Sequence, residues 1–281
     1  MSTNTNNLRN YDSQIAGHTE DTPGTEGLPP FLMSSDGYVY KPVPGKRGKK
    51  EVDFYQQTVS TLHQQTIHQF LAKFDKVIQV NDIEYMGLED LTYPYHKDSV
   101  CVADIKMGMR TYDSTATPEK IKYEEHKSVN TTTSSLGFRF CGAKLHHPET
   151  HEILRLDKNW GKDMTKENML KDGLERVFKC GGQGVVLAFI ERLEVLLDWF
   201  KNQNRSMAFY SSSLLFIYGK VRDGSQQDVT TMISQDTGIT IKMIDFAHVD
   251  HLTGPSTTQQ LCLDTSYIHG LENLINLMKQ L

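Results

Sequence analysis

Two short stretches of the sequence carry side chains that could act together on a phosphorylated ligand. In the first, Asp104 and Lys106 lie two residues apart within segment 101–112, so on an extended chain both project from the same face. In the second, an apolar run ends at Asp245, and His248 follows three residues later. A lysine can bind phosphate, and a carboxylate can hold magnesium. The pattern indicates nucleotide chemistry, although an Asp after a buried strand is also typical of a simple turn.

A third candidate is Lys41, which follows a turn at Asp36 and Gly37 on a segment with the alternation of a strand. A Gly- and Pro-containing loop comes next, and then a predicted helix that begins near Glu51. A strand lysine that is held by a helix glutamate and contacts nucleotide phosphates is the arrangement of protein kinases. The alternative is that Lys41 is a solvated charge on an edge strand.

The segment after Thr117 has the features of a helix start, with Thr117 as N-cap and Pro118 at the first helical position. Four side chains lie on or beside one face at helical spacing: Lys120, Tyr123, Glu124 and Lys127. Lys120 falls in the first turn, where the helix dipole disfavours a cation, and this placement hints at a function. The segment predicts either an anion-binding helix or a solvated charged face. Segment 134–144 alternates like a strand and adds Arg139 and Lys144 as candidate basic walls of a pocket.

Composition narrows the classes of protein that the chain can belong to. With 281 residues and 38% hydrophobic content, it can bury one large core or form two lobes. We find no apolar run as long as the roughly 18 residues of a membrane span, and the N-terminal residues contain no apolar signal core. A net charge of −5 disfavours nonspecific nucleic-acid binding, so a polyanionic ligand needs a local basic pocket. Four widely spaced cysteines favour reduced thiols in a cytoplasmic or nuclear protein.

Three sequence blocks resemble, in order, the signatures of the inositol polyphosphate kinase family. They are DIKMG from Asp104, SSLLFIYG from Ser212 and MIDFAHV from Met243. The family pattern is PxxxDxKxG, and this chain lacks the proline with which that pattern begins. The similarity runs from about Gln14 to the C-terminus. It implies an α+β, two-lobed fold, protein-kinase-like or ATP-grasp-like, with an inserted helical segment that binds inositol phosphate.

The resemblance also implies a division of the chain. Residues 1–12 would be a disordered N-terminus, 13–88 an N-lobe, 89–92 a hinge and 93–281 a C-lobe. The inositol-binding helical segment would occupy residues 113–133 of the C-lobe.

The resemblance assigns ATP and magnesium as cofactors and gives roles to individual residues. The implied catalytic residues are Lys41, Lys106 and Asp245. The implied nucleotide-binding residues are Lys41, Glu51, Glu89, Leu91, Asp104 and Asp245. Glu89 and Leu91 would bind the adenine edge through the main chain, with the carbonyl oxygen of Glu89 and the amide of Leu91. Asp245 would hold magnesium, with Ser213 as a second candidate ligand. The implied substrate-binding residues are Lys106, Arg110, Lys120, Tyr123, Glu124, Lys127, Lys144 and His248.

The implied activity is transfer of the γ-phosphoryl group of ATP to hydroxyls of inositol trisphosphate and tetrakisphosphate, as in the multikinases of the family. MIDFAHV and block 160–178 favour this branch, whereas Tyr123 and Glu124 stand where multikinases carry Gln and leave the substrate open. Two alternatives remain: an inositol hexakisphosphate kinase that makes pyrophosphates, and a non-catalytic scaffold that binds inositol phosphates. We expect a monomer without a nucleic-acid partner or membrane span, in the cytoplasm, the nucleus or both.

Overall fold

Two antiparallel sheets carry the fold, which we describe from a computed structural model covering residues 8–11, 15, 29–62, 65–224, 229–234, 236–252 and 263–281. The first sheet has the spatial order β1-β2-β3-β5-β4. Its strands are β1 (Arg9–Asn10), β2 (Leu32–Met33), β3 (Tyr38–Pro42), β4 (Phe74–Val80) and β5 (Ile83–Glu89). The second sheet has the order β11-β12-β10-β6-β7-β8. Its strands are β6 (Cys101–Met107), β7 (Phe138–His146), β8 (Ile153–Leu156), β10 (Ser213–Lys220), β11 (Thr231–Met232) and β12 (Thr237–Ile244). A separate pair consists of β9 (Met207–Phe209) and β13 (Val249–His251).

The helices lie between and after these strands. The α-helices are α1 (Gly45–Asp53), α2 (Val59–Thr61), α3 (Pro118–Val129), α4 (Thr132–Leu136), α5 (Lys158–Lys162), α6 (Arg176–Phe178), α7 (Gly182–Asp198) and α8 (Thr265–Met278). Wider π-helical turns occur at Phe54–Thr58, Met169–Glu175 and Trp199–Gln203, and 3-10 turns at Thr66–Phe70 and Lys179–Gly181. None of the helices in the described ranges is long and apolar enough to cross a membrane.

Strand β6 runs through the middle of the second sheet, between β10 and β7. Its side chains alternate between the two faces, so Ile105 enters the core while Asp104 and Lys106 point to the opposite face. On the core side, Phe189 of α7 meets Phe216 of β10 with ring centroids 5.0 Å apart. The alternation places polar side chains on one face of a sheet whose other face is covered by helices.

Helix α8 packs close to the start of β7. Gly137 ends α4 with φ of 72°, a left-handed conformation that favours glycine. A Cβ atom at Gly270 of α8 would overlap the carbonyl oxygen of Gly137. The two glycines therefore let α8 approach the sheet through backbone contact.

The structure shows where helical turns begin in block 160–178 and differs from the sequence prediction at the N-terminus. In that block the π-helical turns start at Met169, because the side chain of Asn168 accepts a hydrogen bond from the Thr165 amide (2.7 Å) and closes a turn first. Within the predicted disordered stretch 1–12, residues 9 and 10 form β1 and pair with β2; residues 1–7 and 12 lie outside the described part. The last strand of the first sheet, β5, ends at Glu89, and the first strand of the second sheet, β6, begins at Cys101. The hinge role of residues 89–92 stays a prediction.

Candidate active site

The side chain of Lys41 joins two carboxylates that come from different parts of the chain. Its Nζ atom lies 2.9 Å from the carboxylate of Glu51 on α1 and 2.6 Å from Oδ1 of Asp245. Lys41 belongs to β3 of the first sheet, whereas Asp245 directly follows β12 of the second. The structure thus brings together three of the predicted nucleotide-binding residues, and their ion pairs connect the two sheets.

Aromatic packing holds this group in place. Phe246, which follows Asp245, stacks on Phe54 with ring centroids 4.2 Å apart. Phe54 is three residues beyond Glu51 at the end of α1. Asp245 itself has φ of 66°, a conformation that non-glycine residues adopt rarely and that is found often at functional sites. Packing of the residue after Asp245 therefore fixes both carboxylates relative to Lys41.

Electrostatics keep this group ionised. Burial alone would lower the pKa of Lys41, but the charges of Asp245 and Glu51 outweigh it and raise that pKa above its ordinary value. Burial would raise the pKa of Asp245, but Lys41 and then Lys106 lower it well below its usual range. Both groups stay charged at neutral pH, as phosphate binding and metal binding require.

The polar face of the second sheet adds Asp104, Lys106 and Ser213. Ser213 on β10 lies opposite Lys106 on one side and Ile244 on the other, so it is next to the strand end that carries Asp245. This register places the two candidate magnesium ligands, Ser213 and Asp245, at neighbouring strand ends. Lys106 donates from Nζ to the carbonyl oxygen of Ser211 at 2.7 Å.

Asp104 is buried in an unusual environment for a carboxylate. Burial and then the charge of Asp245 raise its pKa to about 6, although Lys106 acts in the opposite direction. The Ser213 hydroxyl lies close enough to this carboxylate to interact with it. Beyond that contact, Oδ1 of Asp104 and Oγ of Ser213 have no hydrogen-bond partner within the described part of the chain. Buried polar atoms are rarely left without partners, and such atoms point to a ligand or water.

These residues fit a magnesium site of the kind that nucleotide phosphates complete. Among the described residues there is no group of three or more His, Cys, Asp and Glu side chains that could form a closed metal site. Magnesium needs no such cage, because one or two carboxylates together with phosphates and water suffice. Asp245, whose side chain is 35% exposed, and the unpartnered Oγ of Ser213 are oxygen donors of the right type.

Helix α3 forms as predicted, with Thr117 accepting a hydrogen bond from the Lys120 amide. The prediction that Glu124 meets the substrate is corrected, because its carboxylate is buried and bound from three sides. Lys120 Nζ donates to it at 2.6 Å, Lys127 Nζ at 3.1 Å and Thr111 Oγ1 at 2.9 Å. Burial would raise the pKa of Glu124, but these donors lower it to about 2. Glu124 orients the two lysines and fastens α3 to the segment after β6.

The outer surface of α3 presents an exposed aromatic ring between two cations. Tyr123 is 61% exposed, and the Nζ atoms of Lys120 and Lys127 lie 5.4 and 5.8 Å from its ring centroid. Arg110 is fixed differently: its guanidinium lies between the rings of Tyr112 and Tyr210, at 4.6 and 4.5 Å.

Nδ1 of His248 already has a partner, because it lies 2.8 Å from Oδ2 of Asp113, and the substrate-binding role of His248 stays a prediction. The same carboxylate binds Lys50 of α1 at 3.0 Å and accepts from the amide and hydroxyl of Thr115. Burial would raise the pKa of Asp113, but bonds from His248, Thr115 and Lys50 lower it below its usual range. Our sequence analysis missed Asp113. The available signal was the Asp-x-Thr spacing, typical of a turn in which the Asp side chain binds the backbone two residues later.

The predicted adenine-binding residues Glu89 and Leu91 lie at the end of β5 and just beyond it. The Glu89 side chain is buried and accepts from the Lys73 amide at 3.1 Å. Lys242 Nζ lies 3.9 Å from the Glu89 carboxylate and donates to the carbonyl oxygen of Gln69 at 3.0 Å. Lys242 therefore ties β12 to the region before the predicted hinge. Sequence reasoning missed it, since it reads as an ordinary strand lysine. The adenine-binding role stays a prediction.

Lys144 is the one predicted substrate-binding residue that the structure places elsewhere. It faces Val102 across β6 and β7, whereas Arg139 faces Lys106. Their partners Val102 and Lys106 are four residues apart on β6, or about 13 Å. Both residues belong to the long strand β7, and the two ends of that strand lie in different parts of the protein.

Comparison with known proteins supports the relationship that the motifs suggest. A family model described as inositol polyphosphate kinase matches residues 85–279. The chain belongs to the inositol polyphosphate kinase family. The matched region includes Asp104, Lys106, helix α3 and Asp245.

Relatives in this family include both branches considered above. The inositol polyphosphate multikinase of Homo sapiens is 32% identical over 80% of this chain and 53% of its own length. Inositol polyphosphate multikinase alpha of Arabidopsis thaliana is 28% identical over 98% of this chain and 96% of its own. Inositol hexakisphosphate kinase 2 of Homo sapiens is 28% identical over 72% of this chain and 52% of its own length. The chain thus spans about half the length of the mammalian multikinases that it resembles.

A solved structure of inositol phosphate multikinase Ipk2 from S. cerevisiae, in complex with ADP and Mn2+, has the same fold. It aligns with a TM-score of 0.68 at 24% identity, over 87% of this chain and 98% of that chain. The predicted α+β, two-lobed, kinase-like fold is therefore confirmed.

Proposed function

We propose that this protein transfers the γ-phosphoryl group of ATP to hydroxyls of an inositol polyphosphate. The observation that carries the proposal is the group formed by Lys41, Glu51 and Asp245, next to Asp104 and Lys106 on the same sheet face. Its charges and free oxygen atoms suit a nucleotide phosphate with a divalent metal. The related Ipk2, which was crystallised with ADP and Mn2+, supports the same pair of cofactors here.

Each residue has a definite task in this proposal. Lys41, held by Glu51, would bind the phosphates of ATP. Asp104 would accept hydrogen bonds from the ribose hydroxyls with its unpartnered oxygen. Lys106 would neutralise charge on the phosphoryl group during transfer, and positioning with charge neutralisation supplies most of the catalysis in such reactions.

A divalent metal fits at Asp245, with Ser213 as a further oxygen donor, and would supply charge neutralisation between the phosphates. Asp245 also fixes Lys41 through the 2.6 Å ion pair. Its substitution would therefore remove a metal ligand and loosen the phosphate-binding lysine together.

The acceptor would bind along α3. Lys120 and Lys127 flank Tyr123 there, and Arg110 lies in the segment between β6 and the helix. We place the protein in the multikinase branch, which acts on inositol trisphosphate and tetrakisphosphate. Near full-length similarity to the Arabidopsis thaliana multikinase alpha supports this branch. The hexakisphosphate kinase branch is the second candidate, because its members are also similar to this chain.

Product analysis tests the proposal. The purified protein is incubated with magnesium and ATP, and with either inositol 1,4,5-trisphosphate or inositol hexakisphosphate as acceptor. We expect the trisphosphate to become tetrakis- and pentakisphosphates. Conversion of only the hexakisphosphate would move the protein to the second branch. If the protein turns over neither acceptor, and its rates do not exceed those of the Asp245→Asn variant, the kinase proposal is refuted and the scaffold alternative is favoured.

A further inference from the structure

A cavity of about 530 Å3 opens beside the predicted hinge, and Asp90 and Thr92 of that hinge belong to its wall. We call it the hinge pocket. Its described lining includes Arg9, Asp90, Tyr93, Lys97, Lys144 and Arg222. These residues come from the first sheet, the hinge and the second sheet. None of the residues that we assign to ATP or acceptor binding, apart from the displaced Lys144, is among the described residues of its wall.

The hinge pocket concentrates positive charge on a protein with a net charge of −5. Its cations are Arg9, Lys97, Lys144 and Arg222. None of the four forms an ion pair with a carboxylate in the part of the chain that the structure describes. Gathering like charges without partners is unfavourable, and an anionic ligand would relieve that repulsion.

The one described carboxylate of the wall does not neutralise these cations at contact distance. Asp90 is 6% exposed, and its Oδ1 accepts from the amide and the hydroxyl of Thr92 at 2.9 and 2.7 Å. Burial raises the pKa of Asp90, and the charges of Arg222 and Lys97 act in the opposite direction, so this carboxylate does interact with two of the cations. One carboxylate against four cations still leaves an excess of positive charge at the wall of the hinge pocket.

The position of Arg222 is fixed by contacts of both its side chain and its backbone. The guanidinium of Arg222 lies 4.2 Å from the ring centroid of Tyr93, and its buried Nε has no hydrogen-bond partner among the described residues. The Arg222 amide bonds to the carbonyl oxygen of Pro94 at 2.8 Å, which fixes its backbone. Lys144 faces Arg155 across β7 and β8. A fixed guanidinium beside an aromatic ring is suited to phosphate recognition.

We propose that the hinge pocket binds a small molecule with several clustered phosphates, at a site separate from the acceptor site on α3. The cavity has the volume of a small-molecule site, and four cations match several phosphates better than a single monoanion. Such a ligand would contact both sheets and the hinge at once. The inference does not depend on the proposed kinase activity, because binding can be measured whether or not the protein transfers phosphate.

The test is calorimetric titration with inositol hexakisphosphate. To weaken binding at the acceptor site, the parent carries Lys120→Gln, Glu124→Gln and Lys127→Gln, which neutralises the two acceptor lysines of α3 together with the buried carboxylate that binds them. Adding Lys144→Gln and Arg222→Gln should weaken binding at least roughly tenfold, as expected for loss of charged hydrogen bonds. The matched control adds Lys166→Gln and Lys171→Gln, two exposed lysines outside the pocket, and should keep the affinity of the parent.

Other outcomes decide the proposal as well. No binding to the α3 variant, or equal affinity with and without the Lys144 and Arg222 changes, would overturn it. If the double change prevents folding, the exposed Lys97→Gln gives the answer alone, and unchanged affinity would again overturn the site. A parallel titration with tripolyphosphate identifies the ligand source. Equal affinity would mean that clustered phosphates suffice, and binding of the hexakisphosphate alone would mean that the inositol ring is recognised.

Discussion

Substitution of Glu124 by Gln offers the most direct test of how helix α3 is held. The folded protein lowers the pKa of Glu124 from 4.5 to about 2. A lowered pKa of a carboxyl group stabilises the folded state above the unfolded-state pKa, and here it corresponds to about 3 kcal/mol. The side chains of Lys120 and Lys127 are 50% and 35% exposed, so solvent screening reduces this contribution to about 2 kcal/mol.

We expect Glu124→Gln to lower the free energy of unfolding by about 2 kcal/mol near neutral pH. The loss should shrink as the pH falls from about 5 toward 2, because Glu124 then becomes protonated in the unfolded and later in the folded protein. Urea unfolding followed by circular dichroism measures this difference. Glu125→Gln is the matched control, since Glu125 is exposed and accepts only a hydrogen bond from the Tyr112 hydroxyl among the described contacts.

Equal destabilisation by Glu124→Gln and Glu125→Gln would refute the reasoning, as would an effect of Glu124→Gln that does not change with pH. The first result would mean that burial gives Glu124 no special role. The second would mean that packing, and not charge, holds the helix.

Three further predictions concern the sheets and the nucleotide site. Because burial raises the pKa of Asp104 to about 6, the charge of Asp104 lowers the stability of the folded protein above that pH. Asp104→Asn should therefore stabilise the ligand-free protein near pH 8 by about 3 kcal/mol, as measured by urea unfolding. The same substitution should weaken ATP binding, as measured by nucleotide titration. Asp245→Asn should reduce phosphoryl transfer at least roughly a hundredfold, in a coupled assay, with Asp250→Asn as control. Gly270→Ala should cost more than about 2 kcal/mol, seen as a lower thermal midpoint, because its Cβ would overlap Gly137; an unchanged midpoint would contradict the close contact.

Much of the candidate site was predictable because alternation and spacing encode it locally. Asp104 and Lys106 share a face of a strand whatever the rest of the fold does. The apolar run before Asp245 requires a buried strand, and its pairing with β10 follows from the second apolar run. The start of helix α3 is predicted by Thr117 as N-cap and Pro118 at the first helical position.

Contacts between distant segments were not predictable in this way. From the sequence, Glu124 is one of several charged residues on a helix face. Only the folded structure shows that the hydroxyl of Thr111 donates a hydrogen bond to its carboxylate. Lys144 was assigned to the acceptor site from its block, and β7 proved long enough to carry it to another cavity. The contacts of Asp113 with His248 and of Lys242 with Gln69 each join residues more than a hundred positions apart, so the sequence did not show them.

The attachment of α3 has a consequence for how this family can diversify. The helix is bound to the segment just after β6, through Glu124 to Thr111 and through the Ser128 hydroxyl to the Met109 carbonyl oxygen. The described contacts of Lys41, Glu51 and Asp245 do not involve α3. Substitutions on the exposed side of α3 can therefore alter the acceptor that is recognised while ATP handling stays intact. One replaceable helix could let a lineage acquire new inositol phosphates as substrates without rebuilding its catalytic strands.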